Sequence, residues 1–279
     1  MIVTRFAPSP TGFLHLGHVY SLICSYEYSK NHNGKFVLRI EDIDFTRCKN
    51  FYAEQIINDI NWLKIPFIRT KDQSMRKNQY SLALDYLKSK DLIYPCWLSR
   101  KEAKETLTAP QDEISDARQF FLLELERKKR KNIGLTPAWR LNIKKCLDYL
   151  NSSKEKHYWY DMNVGKIPIN IEQFGDLIIA RKDISTSYHL SVTVDDNSDG
   201  ISHIIRGNDL FNYSNIHRLL QILLDLNEAK WMHHALINDH LGKRIAKRSD
   251  PKLTIKNLRE SGYTPKQVIN LAKSMVKKK

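Results

Sequence analysis

Ile2, Val3 and Phe6 form a short apolar run that Pro8, Pro10 and Gly12 interrupt, which predicts a buried strand ending in a tight turn. From Leu16 the period changes. Val19, Leu22, Ile23 and Tyr26 recur at helical spacing as far as Asn33-Gly34, so a helix follows the turn. Residues 35–40 read as a second strand that runs into Glu41-Asp42-Ile43-Asp44. Ile56, Ile57, Ile60 and Leu63 mark the buried face of a helix over 51–63, with Trp62 expected in the core. Leu82, Leu84, Tyr86 and Leu87 mark another helix over 80–92. The segment 113–132 is dense in charge and closes on Arg127-Lys128-Lys129-Arg130-Lys131, the pattern of a solvated helix. Residues 138–142, 157–161 and 177–181 read as strands, and 214–226 as an amphipathic helix. Strands alternating with helices predict an α/β fold.

The 279 residues suffice for one large or two modest domains, and 42% hydrophobic with 27% charged content is ordinary for a globular chain. No apolar run reaches the ~18 residues that would span a membrane, and no signal sequence precedes the first strand. A cytoplasmic monomer is expected. Cys24, Cys48, Cys96 and Cys146 are widely spaced and form no Cys-x-x-Cys pair, which argues against a disulfide framework. The excess of 45 Lys plus Arg over 31 Asp plus Glu, a net +14, suggests a polyanionic partner such as nucleic acid; the alternative is a Lys-rich composition without a binding role.

The start of the first helix is where chemistry concentrates. A helix N-terminus presents unpaired N–H groups and a partial positive charge, which suits phosphate. Gly12 and Gly17 let a bulky anion approach the backbone, and His15 and His18 stand one turn apart on one face. They would serve as hydrogen-bond donors to a phosphate; alternatively they merely decorate the helix start. Glu41, at the end of a buried strand, is a candidate for a substrate amine or a ribose hydroxyl, while Asp44 or Thr46 suits the cap of the next helix.

The stretch Arg5-Phe6-Ala7-Pro8-Ser9-Pro10-Thr11-Gly12-Phe13-Leu14-His15-Leu16-Gly17-His18 resembles the HIGH signature of class I aminoacyl-tRNA synthetases, and the glutamyl branch in particular. The second half of the chain agrees. Tyr188-His189-Leu190 through Asp195-Asp196, and Ile205-Arg206-Gly207-Asn208-Asp209-Leu210, resemble that branch's later catalytic-domain patterns. Lys243-Arg244-Ile245-Ala246-Lys247-Arg248 resembles the KMSKS loop, with Arg244 and Ala246 replacing the usual Lys and Ser. The resemblance implies a Rossmann-type catalytic domain: a first half over 1–93, an inserted α/β subdomain over 94–176, and a second half over 177–279. It implies that Arg5, Phe6, Ala7, Pro8, Ser9, Glu41, Tyr188 and Arg206 hold glutamate. ATP would be held by His15, Gly17, His18, Arg244 and Lys247, with His15, His18 and Lys247 catalytic. Arg5 and Arg206 suit the two acidic ends of glutamate; the alternative for Arg206 is an ion pair with Asp209 or Asp196.

Magnesium is expected with ATP, bound through phosphate and water. Many relatives carry Cys-x-Cys where Cys96-Trp97-Leu98 stands, so zinc is expected to be absent. The stretch after Lys247 is too short for the usual anticodon-binding region. In this the chain resembles stand-alone paralogues that use ATP to attach glutamate to the queuosine base of tRNA(Asp). The alternatives are a truncated or split synthetase charging tRNA(Glu), and a degenerate domain that only binds RNA or nucleotide.

Overall fold

A computed structural model describes residues 1–98, 125, 128–152, 156–184, 186–237 and 253–276. The expected KMSKS-like loop, with Arg244 and Lys247, lies outside the described residues. So does most of the charged segment 113–132, of which 128–132 are helical.

The chain opens with β1 (Val3–Phe6), α1 (Leu16–Asn31), β2 (Lys35–Leu38), α2 (Asn50–Trp62), β3 (Ile68–Arg69), α3 (Lys77–Ser89) and β4 (Ile93–Cys96). Next come β5 (Ala138–Leu141), α4 (Ile143–Ser152), β6 (Tyr158–Asp161), β7 (Gly165–Pro168) and β8 (Ile178–Ala180). The last third holds α5 (Tyr188–Ser198), β9 (His203–Gly207), α6 (Ser214–Leu223), β10 (Lys230–His234), α7 (Ile255–Glu260) and α8 (Pro265–Ser274). Strands β1, β2 and β3 are parallel, with Val3 opposite Lys35 and Val37 opposite Ile68. Strand β10 is parallel to β9 and β6, and the β6–β7 hairpin closes that edge. Ser202 bridges the two sets: its amide donates to the Val3 carbonyl at 3.1 Å, and its Oγ accepts from the Val3 amide at 2.9 Å. The resulting order, β3-β2-β1 then β9-β10-β6, reverses direction between β1 and β9. In open α/β sheets that switch point is where ligands bind. Strands β4, β5 and β8 form a separate antiparallel sheet.

Helix α1 packs Leu16, Val19, Leu22 and Ile23 against Phe6, Phe36 and Leu38 of the first sheet and against Val268 and Ala272 of α8. Its turn into β2 is tight. Asn33 takes a left-handed φ of 50°, and a Cβ on Gly34 would sit 2.5 Å from the Ile2 carbonyl oxygen. A second core joins α3, α5 and α6 to β4, β5 and β8, and Trp159 and Trp231 fill a third behind β1.

Three local expectations need correction. The N-cap of α2 is Lys49, without a side-chain cap bond, so neither Asp44 nor Thr46 caps it; Asp44 accepts from Thr46 and Arg47 in the turn before. In α3 the buried residues are Tyr80, Leu84 and Leu87, one face at i, i+4, i+7, whereas Leu82 and Tyr86 point outward, Leu82 with 71% exposure. Trp62 sits at the rim of its core, half-buried, with the Arg259 guanidinium 6.0 Å from the ring centre. No helix among the described residues is long and apolar enough to cross a membrane.

Candidate active site

The switch point carries a cavity of about 420 Å³. Gly12, singled out for anion approach, does not line it, but the walls hold every described residue to which the resemblance gave a role in binding or catalysis: Arg5 through Ser9, His15, Gly17, His18, Glu41, Tyr188 and Arg206. These come from the ends of β1, β2 and β9 and the first turns of α1 and α5.

The histidines cap their own helix. His15 is the N-cap, and its Nδ1 accepts from the Gly17 amide at 3.1 Å. His18 reaches back, and its Nδ1 accepts from the His15 amide at 3.2 Å. This is a capping box in which imidazoles replace the usual hydroxyl and carboxylate. An Nδ1 that accepts carries no proton, so in both rings the proton sits on Nε2. The rings lie 3.8 Å apart, centre to centre. His15, His18 and the first turn of the helix line the cavity, and Nε2–H groups beside a helix N-terminus are suited to phosphate oxygens.

Opposite them lies a buried charge network. Arg39, wholly buried, reaches Asp196 at 2.7 Å, Asp199 at 2.9 Å and Glu41 at 3.3 Å. Arg76 pairs with Asp199 at 2.8 Å, and Tyr80 donates to Asp195 at 2.9 Å. Arg5 gives Nε and Nη2 to the two oxygens of Asp196, at 3.0 and 3.2 Å. Burial pushes the Asp196 carboxyl up, but Arg5 and Arg39 outweigh it and hold it below its ordinary value. Glu41 falls the other way: burial dominates, and its pKa rises to about 7 in spite of Arg39 and Arg5.

Arg206 differs from Arg5. The alternative of an ion pair with Asp209 or Asp196 is not what the structure shows: Asp196 is engaged by Arg5 and Arg39, and among the described residues no carboxylate pairs with Arg206. Instead Nε donates to His233 at 3.2 Å and Nη1 to His217 at 3.0 Å. Nη2 donates to Ser214 Oγ at 2.7 Å and the Leu210 carbonyl at 3.1 Å. Behind it, Asp161 and His233 are 2.6 Å apart. Burial and the Arg206 charge hold His217 neutral and lower His189 to about 4. His233 is lowered to about 4 by the same causes, against the pull of Asp161. A buried guanidinium ringed by neutral imidazoles and opening on a cavity is suited to an anionic ligand group.

Sequence reasoning missed Ser21 and His234, 2.8 Å apart in the cavity wall. Ser21 lies three residues beyond His18 on the same helical face, and that spacing was the available signal. The network behind Arg206 left no such signal.

Residues 1–276 match the family model of the class I tRNA synthetase catalytic domain for glutamate and glutamine. The chain belongs to this family. It is 35% identical over 282 residues to a glutamyl-Q tRNA(Asp) synthetase of Rhodobacter capsulatus, covering 97% of this chain and 99% of that one. It is 33% identical to a glutamate–tRNA ligase of Bartonella tribocorum, of which it spans 58%. A crystal structure of a glutamate tRNA ligase from Elizabethkingia meningosepticum in complex with its amino acid superposes with a TM-score of 0.76 at 24% identity, over 97% of this chain and 60% of that one. This synthetase domain therefore has the class I catalytic fold, and its relatives are ligases. Among its described residues no group of three or more His, Cys, Asp or Glu could hold a metal ion; Cys96 and Cys146 are buried in the protein.

Proposed function

We propose that this synthetase activates glutamate with ATP and transfers it to a hydroxyl on the queuosine base at the wobble position of tRNA(Asp). One observation carries the amino-acid assignment: Arg206, a buried cation with no carboxylate partner among the described residues, shares one cavity with Glu41, a carboxyl poised near neutrality. Glutamate supplies the complementary charges. A carboxylate would take Arg206 and the ammonium would take ionised Glu41, with Tyr188 and the segment Arg5 to Ser9 forming the walls. The likeness to the Rhodobacter protein supports the queuosine acceptor.

In the first step an oxygen of the glutamate α-carboxylate attacks the α-phosphorus of ATP. The bond from that phosphorus to its bridging oxygen breaks, and pyrophosphate leaves with the electron pair. His15 and His18 donate Nε2–H to phosphate oxygens beside Gly17. Lys247 and Arg244, in the loop outside the described residues, neutralise the departing charge. Magnesium, where it accompanies the nucleotide, would add positive charge at the phosphates. In the second step the acceptor hydroxyl oxygen attacks the activated carbonyl carbon and passes its proton to a phosphate oxygen of the adenylate, while the bond from that carbon to the bridging phosphate oxygen breaks and AMP leaves with the electron pair. We also read 94–176 as an insertion between the two halves of the catalytic domain.

The test is labelled-glutamate transfer to queuosine-containing tRNA(Asp) and to tRNA(Glu). Incorporation into tRNA(Asp) that is lost without queuosine, with the label recovered on the queuosine nucleoside after nuclease digestion, is expected. Incorporation at the 3′ end of tRNA(Glu) would establish the second reading, which the likeness to the Bartonella ligase favours. Lys247→Ala should lower the activation rate far more than glutamate affinity; equal losses would remove its assigned role.

A further inference from the structure

Behind the first cavity lies a second, of about 360 Å³. The two share Ser9, Glu41 and Tyr188, so a group in the second would meet a substrate in the first across these three residues. Asp44, Arg181 and His189 also line it. The hydrogen-bond chain that starts at Arg206 determines what His189 offers there.

A guanidinium only donates. Arg206 Nη1 lies 3.0 Å from His217 Nδ1, so Nδ1 accepts and carries no proton. His217 is neutral, and its single proton is therefore on Nε2. That nitrogen lies 3.2 Å from His189 Nδ1, which must accept in turn. His189 is neutral too, so its proton is on Nε2, the ring nitrogen not engaged by His217. One arginine thus fixes the tautomers of two histidines in sequence, and the last of them lines the second cavity. Asp44 is ionised: burial pushes its carboxyl up, but Thr46, Arg47 and Arg181 outweigh that and hold it near 2. The cavity wall therefore offers one fixed donor and one fixed acceptor.

We propose that the second cavity is the acceptor subsite of the reaction, that it takes a vicinal diol of a nucleoside, and that His189 is a specificity-determining residue whose Nε2–H donates to a diol oxygen while Asp44 accepts from the neighbouring hydroxyl. The proposal rests on the glutamate-transfer reading above and adds the acceptor's chemical class and the residues that read it. It also removes His189 from the candidates for general base, because Nδ1 accepts from His217 and Nε2 already holds its proton. A vicinal diol is present on the queuosine ring and on the terminal ribose of any RNA. Either would suit the subsite, and nuclease digestion that finds the label on the queuosine nucleoside or on the terminal adenosine distinguishes them.

The experiment compares wild type, His189→Leu and His189→Gln in two assays, glutamate-dependent ATP–pyrophosphate exchange and labelled-glutamate transfer to queuosine-containing tRNA(Asp) and tRNA(Glu). His189→Leu should lower kcat/KM for the RNA about tenfold more than it lowers kcat/KM for glutamate in exchange, the worth of one hydrogen bond. His189→Gln, which keeps an N–H, should recover most of the difference. Equal falls in the two assays, or equal transfer by His189→Leu and wild type, would overturn the subsite while leaving the parent reading intact. A wild-type protein that exchanges no pyrophosphate and transfers to neither RNA overturns the parent reading and this proposal with it. Independently of activity, long-range ¹⁵N–¹H correlation at pH 7.5 should find the His189 proton on Nε2. A proton on Nδ1 would refute the chain of donors directly.

Discussion

Replacing Arg206 by Met keeps the side-chain bulk and removes the charge. His233, His217, Ser214 and Leu210 already take four of the five N–H groups of Arg206, so one charge-assisted hydrogen bond to a substrate carboxylate, worth roughly 1.5–3 kcal/mol, would vanish. Taking about 2 kcal/mol for that bond, kcat/KM for glutamate in ATP–pyrophosphate exchange should fall roughly thirtyfold. The KM for ATP should stay within a few-fold, because His15 and His18 stand on the other side of the cavity. The protein supplies a second readout. Burial, then Arg206, lowers His233 to about 4, while Asp161 at 2.6 Å pulls it up. With Arg206 gone, Asp161 opposes burial alone, so the His233 pKa must move up. A histidine NMR titration of Arg206→Met reads this in the absence of any substrate. A His233 that still titrates at about 4, or a glutamate kcat/KM within tenfold of wild type, would refute the placement of Arg206 as the pocket's open cation.

Other outcomes follow from the same geometry. Glu41 titrates at about 7 and only its ionised form holds an ammonium, so glutamate affinity should rise about tenfold from pH 6 to pH 8, and Glu41→Gln should flatten that profile; calorimetry across pH checks both. Asp196→Asn leaves Arg5 and Arg39 short of a buried counter-charge and should cost about 3–5 kcal/mol of stability, read as a fall in the denaturant midpoint. An unchanged midpoint would mean that solvent screens the network. His15→Ala should lose about 1 kcal/mol of helix capping as well as activation rate. His15→Asn keeps a cap but no imidazole, and should unfold at the wild-type temperature while activating glutamate slowly; full activity in it would assign His15 to structure alone.

Sequence patterning reached the first third of the fold well. β1, α1 and β2 fall within two residues of their expected limits, because apolar spacing and turn residues are local signals. The polar and bulky positions assigned to the site were legible from one contiguous stretch, the acidic end of the second strand and two later motifs, and the fold gathers all of those described around one switch point. What was not legible is pairing at a distance. Arg5 and Arg206 look equivalent in sequence, yet one is neutralised by Asp196 and the other is not. Nothing near Arg206 in the chain announces His233 or Asp161, whose contacts with each other and with Arg206 depend on β10 lying between β9 and β6. Helix α4 and strand β7 were also unforeseen. Both are short, and β7 exists only as the return arm of a hairpin.

The salt links of Arg39 and Arg5 to Asp196 span 157 and 191 residues of chain. Closing such loops is slow, and Arg39, which has Glu41 beside it in the chain, gains its aspartate partners only when both halves of the domain have docked. During synthesis Arg39 must stay hydrated until Asp195, Asp196 and Asp199 have left the ribosome and α5 has formed. The amino-acid pocket is therefore one of the last features to mature. Substrate binding in this protein reports completed folding of the whole domain, and partial chains ending before α5 should lack it entirely.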